Sequence, residues 1–418
     1  MNLLRIAIKS ARFRRTSLLL TVISIAISVT LLLGVDVVRK EAKSSFLNTI
    51  SQTDLIVGAR SGPSNLLLYS VFHIGSATNN VAWDSYETID GLDGVAWTVP
   101  ISLGDSHRGF RVMGTTTDYF EYYRYGTDNQ LDFDDGVAFD EVYDAVLGAD
   151  VARDLGYQLG DELIISHGLV SADFAAHDDK PFTVVGILAK TGTPVDRAVL
   201  LSLAGIEAVH VDWQGGARSA VTLDADQALK FDLTPTSITA FMVGLDNRAT
   251  TFRVQREINE YDGEPLSAIL PGATLNEFWR TISTVEQVLF VLSLFVLIAG
   301  LLGMLTTILS TLNERRREIA VLRAIGARPS SVVMLIVLET LLTVIAGCLL
   351  GMGLLYGMLA LAQPALARRF GVEISPSWLD PTQLLIMATV IIGATLVSLI
   401  PGFVAYRRSL QDGLAVRI

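Results

Sequence analysis

The chain has 418 residues, of which half are hydrophobic and only 18% are charged, and its mean hydropathy is +0.45. Because a soluble domain carries roughly 25% charged residues, this composition excludes a disordered chain and argues against a wholly soluble enzyme. The formal net charge of −11 does not suggest a nucleic-acid partner. The single cysteine, Cys348, excludes an intramolecular disulfide and a metal cage built from cysteines.

Four segments are long enough and apolar enough to cross a bilayer as helices, which takes about 20 residues. They predict an α-helical membrane protein with four transmembrane helices and a large mixed α/β periplasmic domain inserted between helices one and two. The bounds that we predict are 1–16 for the N-terminus, 17–52 for helix one and a stalk, 53–285 for the large domain, 286–312 for helix two, 313–330 for a cytoplasmic helix, 331–361 for helix three, 362–383 for a periplasmic loop, 384–404 for helix four and 405–418 for the tail.

The distribution of charge predicts the orientation. The N-terminus, the connection 313–330 and the tail together hold 13 of the 32 basic residues, whereas residues 36–285 hold 17 basic and 36 acidic residues. By the positive-inside rule, both termini are therefore expected in the cytoplasm and the large domain outside. A cleaved signal peptide is the alternative for the first apolar segment, but no small-residue cleavage site follows it.

Strand and helix patterns alternate along the large domain without long period-2 runs, which favours a mixed α/β fold over a pure sandwich. The predicted helices are 83–92, 143–155 and 250–261, and the predicted strands are 54–58, 95–101, 110–113, 163–165, 182–188, 206–211 and 238–244. The apolar run 66–72 has two interpretations. It is either a helix of the domain core or an element that touches the outer leaflet or a substrate.

The sequence offers weak candidates for metal or catalytic sites. The acidic loop 125–142 does not have EF-hand spacing. His167 with His177-Asp178-Asp179 could be a zinc site, although scattered His and Asp residues are more often solvated. Phosphate-loop, nucleophile-elbow and His-Glu-x-x-His patterns are all missing from the sequence. We therefore predict no metal, no catalytic residue and no cofactor bound by this chain.

The connection between helices two and three carries the most informative pattern. Val321 and Ile325 lie four residues apart on one side of a helix, Arg316 and Arg323 lie on another, and Gly326 ends the helix. An apolar ridge beside guanidinium groups suits a groove on a protein, and an anionic-lipid anchor is the alternative. The residues that we predict to make this contact are Glu314, Arg315, Arg316, Arg317, Glu318, Val321, Leu322, Arg323, Ile325 and Gly326.

Small residues in the apolar helices predict close helix packing, since such residues let helix backbones approach in lipid. Glu339 is expected to face a polar partner or a cavity, because an ionisable group within a membrane helix is costly when exposed to lipid. The residues that we assign to helix packing are Gly303, Glu339, Gly347, Gly351, Gly353 and Gly357.

The stretch 314–327 resembles the signature of FtsX-type permeases of ABC transporters, the MacB/LolC/LolE or type VII architecture. The segments 146–152 and 159–163 resemble the periplasmic core domain of MacB-like proteins. The resemblance implies a multi-pass permease of the bacterial inner membrane with both termini cytoplasmic. It also implies a coupling helix at about 313–327 that docks on an ATPase, and a stalk that transmits motion outward without substrate crossing the lipid.

The same resemblance implies the partners. They are two copies of an ABC ATPase subunit that carry ATP and Mg, a second permease chain that is identical or related, membrane lipid, and an outer adaptor, lipoprotein or hydrolase. Because only 16 residues precede helix one, we expect the ATPase to be a separate chain. The work would be to move or extract a lipoprotein, peptide or amphiphile. The alternative is an FtsX-like regulator that activates a periplasmic cell-wall hydrolase.

Overall fold

The computed structural model describes residues 15–47, 49–167, 179–214, 217–218, 223–314, 321, 324, 326–370 and 380–411. The chain divides into two compact units. The helical unit comprises Met1–Glu41, Ile282–Ala365 and Ile374–Ile418, and the sheet unit comprises Ala42–Thr281 and Leu366–Glu373.

Four helices of the described residues are long and apolar enough to cross a membrane. They are α1 (Arg15–Leu47), α9 (Pro271–Glu314), α10 (Pro329–Phe370) and α11 (Pro381–Gln411). Three of them begin at or near proline, which fits the first turn of a helix because its missing N–H is not needed there. Pro401 lies inside α11.

The sheet unit contains the remaining elements. Its strands are β1 (Leu55–Ala59), β2 (Val81–Ala82), β3 (Val95–His107), β4 (Phe110–Thr115), β5 (Phe133–Gly136), β6 (Asp144–Leu147), β7 (Glu162–Leu163), β8 (Ser166–His167), β9 (Phe182–Leu188), β10 (Ala198–Ser202), β11 (Trp213–Gln214), β12 (Ala217–Arg218), β13 (Ser237–Ile238), β14 (Ala240–Leu245) and β15 (Leu266–Ile269). Its helices are α2 (Pro63–Ser70), α3 (Trp83–Asp90), α4 (Asp118–Tyr122), α5 (Ala149–Leu155), α6 (Leu203–His210), α7 (Ala225–Ala228) and α8 (Thr251–Asn259).

Eleven of these strands form one mixed sheet in the order β15-β1-β14-β3-β4-β10-β6-β9-β5, with β7 paired to β9 and β8 paired to β3. Strand β3 is 13 residues long, and its register with β4 shifts between Leu103 and Ser106. The shift separates a half that pairs with β14 from a half that pairs with β8. The bulge lets a single strand take part in both halves of the sheet.

The structure corrects three predictions of local structure. Residues 206–211 were predicted as a strand but belong to α6, because the Ser202 side chain caps that helix by accepting from Gly205 N at 2.9 Å. The predicted helix 143–155 is strand β6 followed by α5. The break falls at Gly148, where a Cβ atom would lie 2.2 Å from the carbonyl oxygen of Val195.

The long helices also differ from their predicted bounds. Helix α1 ends at Leu47, short of the predicted 52, and Gln52 has a left-handed φ of 59° that a helix does not accommodate. Helix α9 starts at Pro271, within the predicted large domain, and α10 continues to Phe370, into the predicted loop 362–383. The predictions followed hydrophobicity, and helices continue past the apolar residues into polar sequence.

The run 66–72 lies in the core of the sheet unit. Leu66 and Leu67 of α2 are fully buried, and a Cβ atom on Gly58 of β1 would lie 2.7 Å from Leu66 Cδ1. Helix α2 therefore packs directly on β1. The interpretation of this run as an element that touches the outer leaflet or a substrate is wrong.

Candidate functional site

The predicted coupling segment lies between the ends of α9 and α10. Glu314 is the last residue of α9, Val321 is 62% exposed, and Gly326 has a φ of 95°, which favours glycine. The other predicted residues, Arg315, Arg316, Arg317, Glu318, Leu322, Arg323 and Ile325, lie outside the described residues.

A small apolar cluster holds the helix ends that flank this segment. Leu312 of α9 packs with Val332 and Ile336 of α10 and with Ala405 of α11, and all four side chains are buried. The two ends of the segment are therefore anchored to the same helix bundle. A force applied to the segment would act on α9 and α10 together.

Helix α1 packs closely against α10 through two of the predicted glycines. A Cβ atom on Gly347 would lie 2.7 Å from the Ile25 side chain, and one on Gly351 would lie 2.7 Å from the carbonyl oxygen of Ala26. In addition, Thr30 Oγ1 donates to the Gly351 carbonyl oxygen at 2.9 Å. Glycine at both positions lets the backbones of α1 and α10 touch.

The other three predicted packing glycines make no such contact in this chain. Cβ atoms built on Gly303, Gly353 and Gly357 meet nothing within 4 Å among the described residues. Gly300, which the sequence analysis missed, fills the role expected of Gly303, since its Cβ atom would lie 2.9 Å from Ser28 Oγ of α1. Spacing alone places small residues on a face of a helix but does not show which face meets a neighbour.

Glu339 is buried, with 8% of its surface exposed, and faces a small cavity between α1, α9 and α10. Its position is the one expected for an ionisable residue in an apolar helix.

An ionic cluster that the sequence analysis did not identify joins α1 to the start of α11. Lys40 Nζ lies 2.9 Å from Asp36 Oδ2 on its own helix and also contacts the carboxylate of Asp380. The hydrogen bond from Lys40 is the main reason that the pKa of Asp380 is below its ordinary value. The spacing of Asp36 and Lys40, four residues apart, was the available signal for half of the cluster.

In the sheet unit, aromatic side chains fix the end of α1 and the start of α9. The ring of Phe46 stacks on Phe72 and Phe278, with centroid distances of 4.6 and 5.4 Å, and lies 6.1 Å from Trp279. Just beyond α1, the Tyr123 hydroxyl donates to the Thr49 carbonyl oxygen at 2.6 Å. We call Phe46, Phe72, Phe278 and Trp279 the aromatic clamp.

The motif at 146–152 forms a buried ionic network. Asp150 and Asp196 are almost fully buried, and Lys190 Nζ lies 2.7 Å from Asp150 Oδ1 and 3.2 Å from Asp196 Oδ2. Asp196 also accepts from the backbone of Thr191 and Gly192, at 2.8 and 2.7 Å. The network ties the start of α5 to the loop between β9 and β10, which is a structural role.

Among the described residues, no group of three or more His, Cys, Asp or Glu side chains is arranged to hold a metal ion. His177 and Asp178 of the hypothetical zinc site lie outside the described residues. His107 is buried, with Nδ1 2.6 Å from the Ile164 carbonyl oxygen and Nε2 2.9 Å from the Tyr157 hydroxyl. A carbonyl can only accept, so Nδ1 carries the proton, and burial lowers the pKa of this histidine.

Two family descriptions match the chain. Residues 18–261 match the MacB-like periplasmic core domain, and residues 290–412 match the C-terminal region of FtsX-like permeases. The first match alone covers more than half of the chain.

Individual relatives are similar over shorter stretches. The chain is 30% identical over 130 residues to the macrolide export ATP-binding/permease protein MacB of Photorhabdus laumondii, and 30% identical over 132 residues to that of Acinetobacter baylyi. These stretches are 31% and 32% of this chain but only 19% of each relative.

Among solved structures, the periplasmic region of MacB from Actinobacillus actinomycetemcomitans aligns with a TM-score of 0.33 and 11% identity. That alignment covers 56% of this chain and 94% of the other. From the two family matches and the four apolar helices, we conclude that the chain belongs to the FtsX/MacB-like family of ABC transporter permeases.

Proposed function

We propose that the chain is a mechanical permease subunit of the bacterial inner membrane. Its four apolar helices cross the membrane with both termini in the cytoplasm, and segment 313–327 docks on a separate ABC ATPase that binds ATP and Mg. Closure of two ATPase copies would then move two permease chains, identical or related, and their periplasmic domains. The excess of basic residues on the side of this segment supports the orientation.

The observation that carries the proposal is the way in which α1 is held along its length. In the helical unit, α1 contacts α10 at Gly347 and Gly351 and contacts α9 at Gly300. In the sheet unit, its last turn is fixed by the aromatic clamp. A continuous helix resists stretching because each turn is hydrogen-bonded. Such a helix is suited to pass on a displacement rather than absorb it.

The substrate that we propose is a lipoprotein, peptide or amphiphile on the outer side. Four helices per chain leave little room for a polar pathway, so the work is done on the outer domains. The regulatory alternative, activation of a cell-wall hydrolase, makes a different prediction. Purification with the ATPase and mass spectrometry of what co-elutes would yield a hydrolase in that case.

The docking is tested by changing Arg316 and Ile325 to Ala together, with Arg407→Ala as the control. Arg407 is an exposed basic residue on the same predicted side of the membrane. We expect the double variant to lose most ATPase co-purification and ATPase coupling, and the control to keep both. Unchanged attachment and ATP turnover in the double variant would contradict the proposal.

A further inference from the structure

A small cavity in the helical unit is lined almost entirely by oxygen-bearing and apolar side chains. Its volume is about 30 Å³, and it lies between α1, α9 and α10. The residues that line it with hydroxyl groups are Ser17, Thr21, Thr307, Thr311, Thr340 and Thr343. Glu339 is the one charged residue among the described residues that line the cavity.

Five of these hydroxyl groups have already given their proton to their own helix. Thr21 donates to the Ser17 carbonyl oxygen at 3.0 Å, and Thr340 donates to that of Ile336 at 2.9 Å. Thr307, Thr311 and Thr343 donate in the same way, to backbone carbonyl oxygens three or four residues earlier. Because a hydroxyl has one proton and two lone pairs, these side chains keep only acceptor capacity toward the cavity.

The cavity therefore combines a carboxylate with neutral acceptor oxygens in an apolar surrounding. A water molecule needs about 10–15 Å³ of such volume, so the space fits one or two bodies of that size. An occupant that only donates or carries positive charge would suit these walls. A negative charge with no balancing positive charge nearby is costly in a membrane interior, and one carboxylate is matched in charge by one monovalent cation rather than by a divalent ion.

We propose that this cavity binds one small monovalent cation, Na⁺ or K⁺, through the Glu339 carboxylate and the threonine hydroxyl oxygens. The site joins three helices, two of which, α9 and α10, flank the coupling segment. Occupation would stabilise the arrangement of these helices. The inference does not depend on ATPase docking, because it concerns the helical unit alone.

The test is the thermal stability of the full chain in lipid nanodiscs. The transition temperature would be measured in NaCl, in KCl and in N-methyl-D-glucamine chloride at equal ionic strength. We expect the alkali salt that fits to raise the transition by roughly 2–4 °C, since a ligand that binds only the folded state stabilises it. Glu339→Gln and the milder Thr340→Val should both remove this response.

Thr389→Val is the matched control. Thr389 donates to the Leu385 carbonyl oxygen at 2.8 Å, as the cavity threonines do with their own helices, but it lies exposed on α11. It should keep the full cation response. The same acceptor chemistry would suit a basic side chain of the chain itself, and that source would make stability independent of the buffer cation. A wild-type transition that is equal in all three salts would therefore overturn the proposal, as would an unchanged response in both cavity variants.

Discussion

The sheet unit and the helical unit hold their buried polar groups in different ways. In the sheet unit, Lys180 is fully buried and its Nζ atom lies 2.7 Å from Asp212 Oδ1. In the helical unit, buried hydroxyl groups such as that of Thr340 donate to a carbonyl oxygen of their own helix. A loop has unpaired backbone groups and needs charged partners to fix it, whereas in a helix the carbonyl four residues earlier is the nearest acceptor.

This comparison suggests where substitutions should be most harmful. In the sheet unit, the loss of one charge leaves its partner buried without compensation. In the helical unit, the loss of a hydroxyl leaves the helix intact, and the vulnerable positions are those where helix backbones touch.

The largest effect is expected for Lys180→Met. The change leaves the buried Asp212 carboxylate without its ion pair, which typically costs about 3–5 kcal/mol. Chemical unfolding of the purified chain would measure the loss. Lys230→Met, at an exposed lysine of the same unit, should change the free energy of unfolding by less than about 0.5 kcal/mol. Equal stability of the two variants would show that the buried pair is not a structural anchor.

A smaller loss is expected for Gly351→Val, which forces a side chain against the backbone of α1. A Cβ atom there would lie 2.7 Å from the Ala26 carbonyl oxygen, and overpacking typically costs about 1–3 kcal/mol. Gly353→Val, two residues away on an open face, provides the control. Thermal unfolding in nanodiscs should separate the two variants by several degrees, and similar transitions would disprove the close approach of α1 and α10.

The aromatic clamp gives a functional prediction of comparable size. Phe46→Ala removes two stacked contacts, worth about 0.5–1.5 kcal/mol each beyond burial. We expect ATP turnover by the assembled complex to persist while transport or periplasmic movement is lost. Phe252→Ala, at a residue that is 73% exposed, should affect neither. If transport survives in Phe46→Ala, the clamp does not transmit motion.

The smallest effect concerns pH. Because burial lowers the pKa of His107, the unfolded chain takes up a proton at this residue between pH 6.5 and the lower folded pKa, and the folded chain does not. The contribution of His107 to stability is therefore complete above pH 6.5 and is lost as the pH falls through this window. Unfolding between pH 7 and 5 should show a weaker decline in His107→Gln than in the wild type. Identical pH profiles would contradict this.

The sequence was informative wherever a single periodicity determined the structure. The long apolar runs identified all four long helices, and the buried run 54–58 identified β1 within one residue. The strand prediction failed at 206–211 because short β-branched runs fit both a strand and one face of a helix. The Ser202 cap that decides between them was not weighed.

The candidate site could be predicted only in part for the same reason. Glu339 stood out because a charge in an apolar run is rare. The threonines around it, the partner of Lys40 at Asp380 and the clamp around Phe46 come from distant parts of the chain. No spacing in one sequence reports such contacts. The two glycine pairs of α10 also looked equivalent until their neighbours were known.

The most direct test of the mechanical account is a distance measurement between two permease chains in the assembled complex. Cys348, the single cysteine, is buried, so a Cys348→Ser background would accept a spin label at Val137→Cys, where the native side chain is 65% exposed. We expect the distance between the labels on two chains to change when ATP is bound, and to stay constant in the Arg316→Ala, Ile325→Ala double variant. An ATP-independent distance in the unmodified coupling segment would contradict the account.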